Sequence, residues 1–230
     1  MTSPEATQFI QQGFTTLEPS DSMKDWARSV LRRAQNEPRK KTGTPGWHIN
    51  NGEFQVEMPR DTRLQELLTE LLKEELRILP NVAQLSSLAD GYTPVGLNRH
   101  VDGAYADELS WFGLLVGILL VEVKSGEDNG ALLVWPESHR VTQSRFDGLE
   151  RPVTRKNVRE AILSQEGING EPLEITGPPG TVVVLDHRTY HGMRAHQQPD
   201  FVRHMIYFRL PDMTSIPEQV VDGHHFLRHG

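Results

Sequence analysis

The chain has 230 residues, carries a net charge of −7 and contains no cysteine. Its acidic balance, with a pI near 5.8, argues against nucleic acid as a partner, because such surfaces need a basic stripe to neutralise phosphates. Without thiols, disulfides, zinc ribbons and cysteine nucleophiles are excluded, so any metal must be held by histidine and carboxylate. No apolar run is long enough to cross a bilayer and no basic-plus-apolar signal opens the chain, so no membrane partner and a cytoplasmic location are expected. The length suits one sizeable core, and a single domain over 1–230 is expected.

Residues 4–12 read as a short helix with Pro4 in its first turn, ended by Gly13 and followed by a strand at 14–17. Asp21 or Ser22 is placed to cap a second helix running to about Ala34, with Trp26, Val30 and Leu31 on its apolar face and Arg28, Arg32 and Arg33 solvated. The Lys-, Arg-, Pro- and Gly-rich stretch 37–47 reads as a loop, with Lys40 and Lys41 as surface charge. Over 60–79, Leu64, Leu67, Leu68, Leu71, Leu72 and Leu76 repeat at helical spacing until Pro80 stops them, so this helix is expected to buttress a sheet. From Val82 onward the pattern is one of short strands, at 83–88, 96–101, 111–123, 131–135, 181–185 and 202–210. The apolar run from Trp111 suits a strand covered on both faces. Residues 140–179 form a long insertion with one helix at 155–163, of the kind that is functional or mobile. The predicted architecture is mostly β with flanking helices, an antiparallel barrel or jelly roll. It divides into a helical part (1–80), a core (81–210) and a tail (211–230).

The chemistry centres on His100-Val101-Asp102. On an extended chain, side chains two apart share a face, so this imidazole and carboxylate can converge on one metal while Arg99 and Val101 look away. A third ligand must come from elsewhere, and His191, His187 and His196 are the candidates. Two His and one carboxylate, bound facially with positions left open, suit a non-haem Fe(II) oxygenase.

Four landmarks in order resemble the phytanoyl-CoA dioxygenase-like group of Fe(II)/2-oxoglutarate oxygenases. They are Phe9 to Leu17, His100-Val101-Asp102, Gly130-Ala-Leu-Leu-Val-Trp-Pro136-Glu-Ser138-His139-Arg140, and the run Gly180 to Gly192. The resemblance implies a double-stranded β-helix, a cupin-like jelly roll, with His100, Asp102 and His191 as iron ligands and catalytic centre. His191 is preferred over His187 because it ends the apolar run and precedes glycine. Arg203, one strand-length later, matches the arginine that anchors 2-oxoglutarate, and Arg209 shares its face by alternation. Two departures stand out: Glu137 replaces a common glycine, and Met193 replaces a small hydroxyl residue that often helps hold the co-substrate.

Fe(II), 2-oxoglutarate and O₂ are therefore the expected cofactor and co-substrates. The implied reaction is hydroxylation of an unactivated C–H of a small metabolite or natural-product intermediate, with release of succinate and CO₂. The presence of Asp102 favours hydroxylation, desaturation or ring formation over chlorination. A cupin-like metal protein or isomerase, or an inactive homologue serving as a small-molecule binding module, is the alternative, and Arg203 speaks against it. Trp111 and Tyr207 read as core, His139 as a turn-capping residue or one beside the ligands, and His224, His225 and His229 as part of a tail beyond the fold.

Overall fold

The computed structural model describes residues 2–37, 44–73, 82–94, 99–102, 113–148, 160, 164 and 166–210. In chain order they form α1 (Pro4–Gln12), β1 (Phe14–Leu17), α2 (Asp21–Ala34), β2 (Trp47–Gln55), α3 (Thr62–Leu72), β3 (Val82–Leu88), β4 (Leu114–Leu119), β5 (Leu132–Val134), α4 (Ser138–Asp147), β6 (Leu173–Ile175), β7 (Val182–Asp186), β8 (His191–Met193) and β9 (Arg203–Leu210). A six-stranded sheet runs β1-β7-β4-β9-β3-β2 and a three-stranded sheet runs β6-β5-β8. Neighbouring strands are antiparallel in both, so the jelly-roll expectation holds.

Local chemistry sets the helix ends. Ser3 caps α1 by accepting from the Ala6 N–H at 3.1 Å, and Gly13, at φ 82, donates back to the Phe9 carbonyl at 2.8 Å. The cap of α2 is Ser20, one residue before the predicted Asp21, and it accepts from the Met23 N–H. Asp61 caps α3, which starts at Thr62 and ends at Leu72; the predicted continuation to Leu79, with Leu76, lies outside the described residues.

Strand alternation builds two apolar layers from one sheet. On β9, Ile206, Phe208 and Leu210 face the helices and pack with Val30 of α2 and Leu64 and Leu68 of α3. Met205 and Tyr207 face the opposite way and pack with Leu132 and Val134 of the small sheet. Strands β4 and β7 divide in the same manner, which is why their sequences are apolar throughout except for Asp186 at the end of β7. The helices thus back the large sheet, as the leucine spacing of α3 foretold, and leave the space between the two sheets for a site.

Three elements escaped the sequence reading. The strand β2 begins at the last residue of the stretch read as a loop; it is an edge strand whose register shifts between Asn50 and Phe54, so its period is broken. Both α4 and β6 fall largely inside the segment read as an insertion. The helix expected at 155–163 lies almost wholly outside the described residues; Lys40, Lys41, Trp111, the histidines of the tail and the first half of the strand expected at 96–101 lie outside them too. The apolar run 180–192 is not one strand: β7 stops at Asp186, and His191 opens β8 in the other sheet.

Candidate metal and co-substrate site

His100 and His191 face each other as an antiparallel bridge, the His100 N–H donating to the His191 carbonyl at 2.8 Å and the His191 N–H returning the bond at 2.9 Å. Directly opposed residues of such a bridge project to the same face, and their ring centroids are 4.6 Å apart. Asp102, two residues beyond His100, reaches the same point, with Oδ1 3.6 Å from His100 Nε2 and 3.5 Å from His191 Nε2. One ligand atom from each of the three lies within 4.8 Å of the others. Among the described residues, no other group of three or more His, Asp or Glu meets this criterion; His187 and His196 are elsewhere.

The environment prepares these donors. The Thr189 carbonyl lies 3.1 Å from His191 Nδ1; a carbonyl only accepts, so Nδ1 carries the proton and Nε2 presents its lone pair to the site. Arg209 donates to Asp102 Oδ2 at 2.8 Å, leaving Oδ1 toward the imidazoles. Burial by itself would raise the Asp102 carboxyl, but His100, His191 and Arg209 together hold it well below the usual carboxylate range. The sequence placed Arg209 on the right face but could not show that it pairs with Asp102.

The turn carrying His191 is held from below by the segment that resembles the family's third landmark. Ser138 Oγ donates to the Trp135 carbonyl at 2.6 Å and accepts from the Tyr190 N–H at 2.9 Å. Thr142 Oγ1 donates to the Arg188 carbonyl, and Thr189 Oγ1 to the Gly13 carbonyl. Gly13 must be glycine, since a Cβ there would stand 2.4 Å from His139 Nδ1 and 2.5 Å from Thr189 Oγ1. His139 is therefore a packing neighbour of this turn, and burial lowers its pKa. Beside it, Asp186 and Arg188 form a buried ion pair next to His187.

A cleft opens on the three candidate ligands. Trp47, Gln84 and Ser86 line it from β2 and β3, and Tyr207 and Arg209 from β9. Trp47 donates to Ser86 Oγ at 3.3 Å. None of Trp47, Gln84 and Ser86 was singled out from sequence, because Trp47 sat in an apparent loop and two small polar residues on a strand carry no signature. Tyr207 belongs both to the core and to the cavity wall; burial raises its phenol pKa, partly offset by Arg203.

Arg203 is fully buried. Its Nε donates to the Gly130 carbonyl at 3.0 Å, while Nη1 and Nη2 have no hydrogen-bond partner. A buried guanidinium with two idle nitrogens costs free energy unless an anion completes it. Arg203 stands opposite Leu88, on the face it shares with Met205 and Tyr207. Gly130 comes just before β5, whose Leu132 pairs with Met193, while His191 pairs with Val134. Gly130 itself stands opposite Ala195, its N–H donating to the Ala195 carbonyl at 3.0 Å, so Arg203 Nε meets this ladder beyond Met193, on the side away from the His191 end that carries the candidate ligands.

No family model matches the chain, and no curated protein matches it by sequence. Solved structures do resemble it. HygX from Streptomyces hygroscopicus, with nickel and 2-oxoglutarate bound, superposes with a TM-score of 0.58 at 14% identity over 90% of this chain and 86% of its own. EvdO2 from Micromonospora carbonacea var. aurantiaca, complexed with 2-oxoglutarate, gives 0.58 at 19% identity over 96% and 94%. EctD from S. alaskensis, with bound Fe, gives 0.55 at 19% over 90% and 75%. The chain shares the fold of these proteins over most of its length.

Proposed function

We propose that the chain is a single-domain Fe(II)- and 2-oxoglutarate-dependent oxygenase that hydroxylates an unactivated C–H of a small molecule. The observation that carries this reading is a His-Asp-His donor cluster together with a buried arginine whose two terminal nitrogens lack partners. A metal cupin without a 2-oxo acid has no use for that guanidinium, whereas a dicarboxylate reaching from metal to arginine satisfies it. The neighbours bound to 2-oxoglutarate, nickel or Fe support the same choice.

In this reading His100, Asp102 and His191 would hold the metal, and a three-ligand set of this kind would leave room for the co-substrate and O₂. Bound Fe(II) would couple oxidative decarboxylation of 2-oxoglutarate, giving succinate and CO₂, to insertion of one oxygen atom into a C–H bond. The residues of the chain bind and orient. Thr189 fixes the His191 tautomer, Arg209 keeps Asp102 turned to one oxygen, and Arg203 fixes the far carboxylate in a planar two-point contact that lysine cannot reproduce. The apolar walls from β4 and β5 exclude water from the reacting centre.

The test is an anaerobic titration of 2-oxoglutarate into the Fe(II)-loaded protein, followed by charge-transfer absorbance, and then a screen of small metabolites for succinate release. Succinate formed only with both Fe(II) and 2-oxoglutarate supports the oxygenase. Metal binding without any 2-oxoglutarate binding would favour the cupin-like alternative.

A further inference from the structure

His196 is fully buried, and neither ring nitrogen has a hydrogen-bond partner. Its ring lies nearly parallel to Phe201, with centroids 5.6 Å apart and an interplanar angle of 13°. The backbone on either side is pinned: His196 bridges both Tyr92 and Asn129. What the ring lies against is Gly130. A Cβ on Gly130, which has φ +77, would stand 3.2 Å from His196 Cδ2 and 2.7 Å from Leu88 Cδ1. The carbonyl of the same glycine accepts from Arg203 Nε, and Leu88 is the cross-strand partner of Arg203. Two buried side chains with unsatisfied nitrogens therefore converge on one glycine. Chance rarely leaves such groups side by side, because each alone is costly.

We propose that His196 is a second polar contact for the distal carboxylate of the co-substrate, beside Arg203. This rests on the oxygenase reading above. It also accounts for Met193, which stands where a hydroxyl donor resembling the family's would be and instead packs with Leu88 and Tyr92. Burial, reinforced by the Arg203 charge, keeps the imidazole neutral; a neutral ring offers one N–H, which donates to a carboxylate oxygen that Arg203 leaves uncovered. Phe201 holds the ring plane and so aims that N–H. His196 is thus a positioning residue for the co-substrate, distant from the metal ligands.

The experiment compares wild type, His196→Phe and His196→Gln, each loaded with Fe(II) without oxygen, by titration with 2-oxoglutarate and with pyruvate, which lacks the distal carboxylate. His196→Phe keeps the stack on Phe201, and His196→Gln keeps a donor; thermal unfolding checks that both fold. We expect 2-oxoglutarate to bind about tenfold more weakly to His196→Phe, with partial recovery in His196→Gln. Pyruvate and Fe(II) should bind all three alike. Equal loss for pyruvate would mean a merely structural role, and unchanged 2-oxoglutarate affinity in His196→Phe would overturn the inference while leaving the oxygenase reading intact. Failure of the wild type itself to bind 2-oxoglutarate would remove both.

Discussion

Among the described residues two arginines are buried, and they are buried differently. Arg188, in the turn before His191, gives Nε to Asp186 Oδ1 at 2.8 Å, a second nitrogen to Asp186 Oδ2 and a third to Gln143. Every nitrogen of that guanidinium is used within the protein. Arg203 uses one of three. A satisfied buried ion pair fixes local geometry, whereas an unsatisfied one is completed only by something from outside. The turn around Arg188 is scaffold, and in the proposed reading Arg203 is the group that receives the co-substrate.

The largest effect should come from breaking the scaffold. Arg188→Met leaves the Asp186 carboxylate buried with only the backbone N–H of residue 188 and the His187 ring beside it, which should cost about 3 to 5 kcal/mol and lower the melting temperature by roughly 10 °C or more. The surviving folded fraction should still bind 2-oxoglutarate normally; specific loss of that affinity would dissolve the contrast between the two arginines.

Next is Arg203→Ala, expected to weaken 2-oxoglutarate binding by about 2 to 5 kcal/mol, roughly thirtyfold or more, with Fe(II) affinity nearly unchanged. Arg203→Lys should recover part of the loss. Unlike Arg188→Met, Arg203→Met should raise the stability of the ligand-free protein by about 1 kcal/mol or more, because it removes a buried charge of which only Nε is hydrogen-bonded. Arg209→Ala in the same titration serves as the control. It should loosen the metal site through Asp102, and loss of the anchor in this variant alone would move the anchoring role to Arg209.

The scaffold also dictates a pH dependence. Burial pushes the His187 imidazole down to about 4, with the attraction of Asp186 only partly opposing it. The unfolded chain therefore takes up a proton near pH 6.5 that the folded chain refuses. Stability from this group is complete above that pH and is lost as pH falls toward about 4, on the order of 3 kcal/mol. Burial raises the Asp186 carboxyl, but Arg188 overcomes this and holds it at about 2, so its contribution is present above the usual carboxylate pKa and disappears only below it. Chemical denaturation at pH 7.5, 6, 5 and 4 should show this slope in wild type and a flatter one in His187→Phe. An unchanged slope would place the acid-sensitive group elsewhere.

The smallest effect concerns α4, which supports the same turn. Glu137 sits before it at φ 63 with no side-chain cap, a conformation that favours glycine. Glu137→Gly should stabilise the protein by up to about 1 kcal/mol, since the exposed contact with Arg140 that it removes is worth little. A loss of stability would mean that this contact outweighs the backbone strain.

The sequence by itself determined what local rules decide. The caps and apolar spacing of α1, α2 and α3, the doubly apolar strands β4 and β7, and the shared face of His100 and Asp102 all follow from side-chain period and terminus chemistry. The departure at Glu137 was visible too, though its left-handed backbone was not. Tertiary structure alone decided the rest. Strands of three residues, such as β6 and β8, have no period to read, so the break after Asp186 that carries His191 into the other sheet could not be seen. The bridge joining His100 to His191 connects distant parts of the chain, and its register is set by sheet pairing. The same holds for the pairing of Arg209 with Asp102, and for the convergence of Arg203 and His196 on Gly130. Alternation can assign a side chain to a face, but whether its polar atoms find partners there depends on what the opposite sheet brings over them.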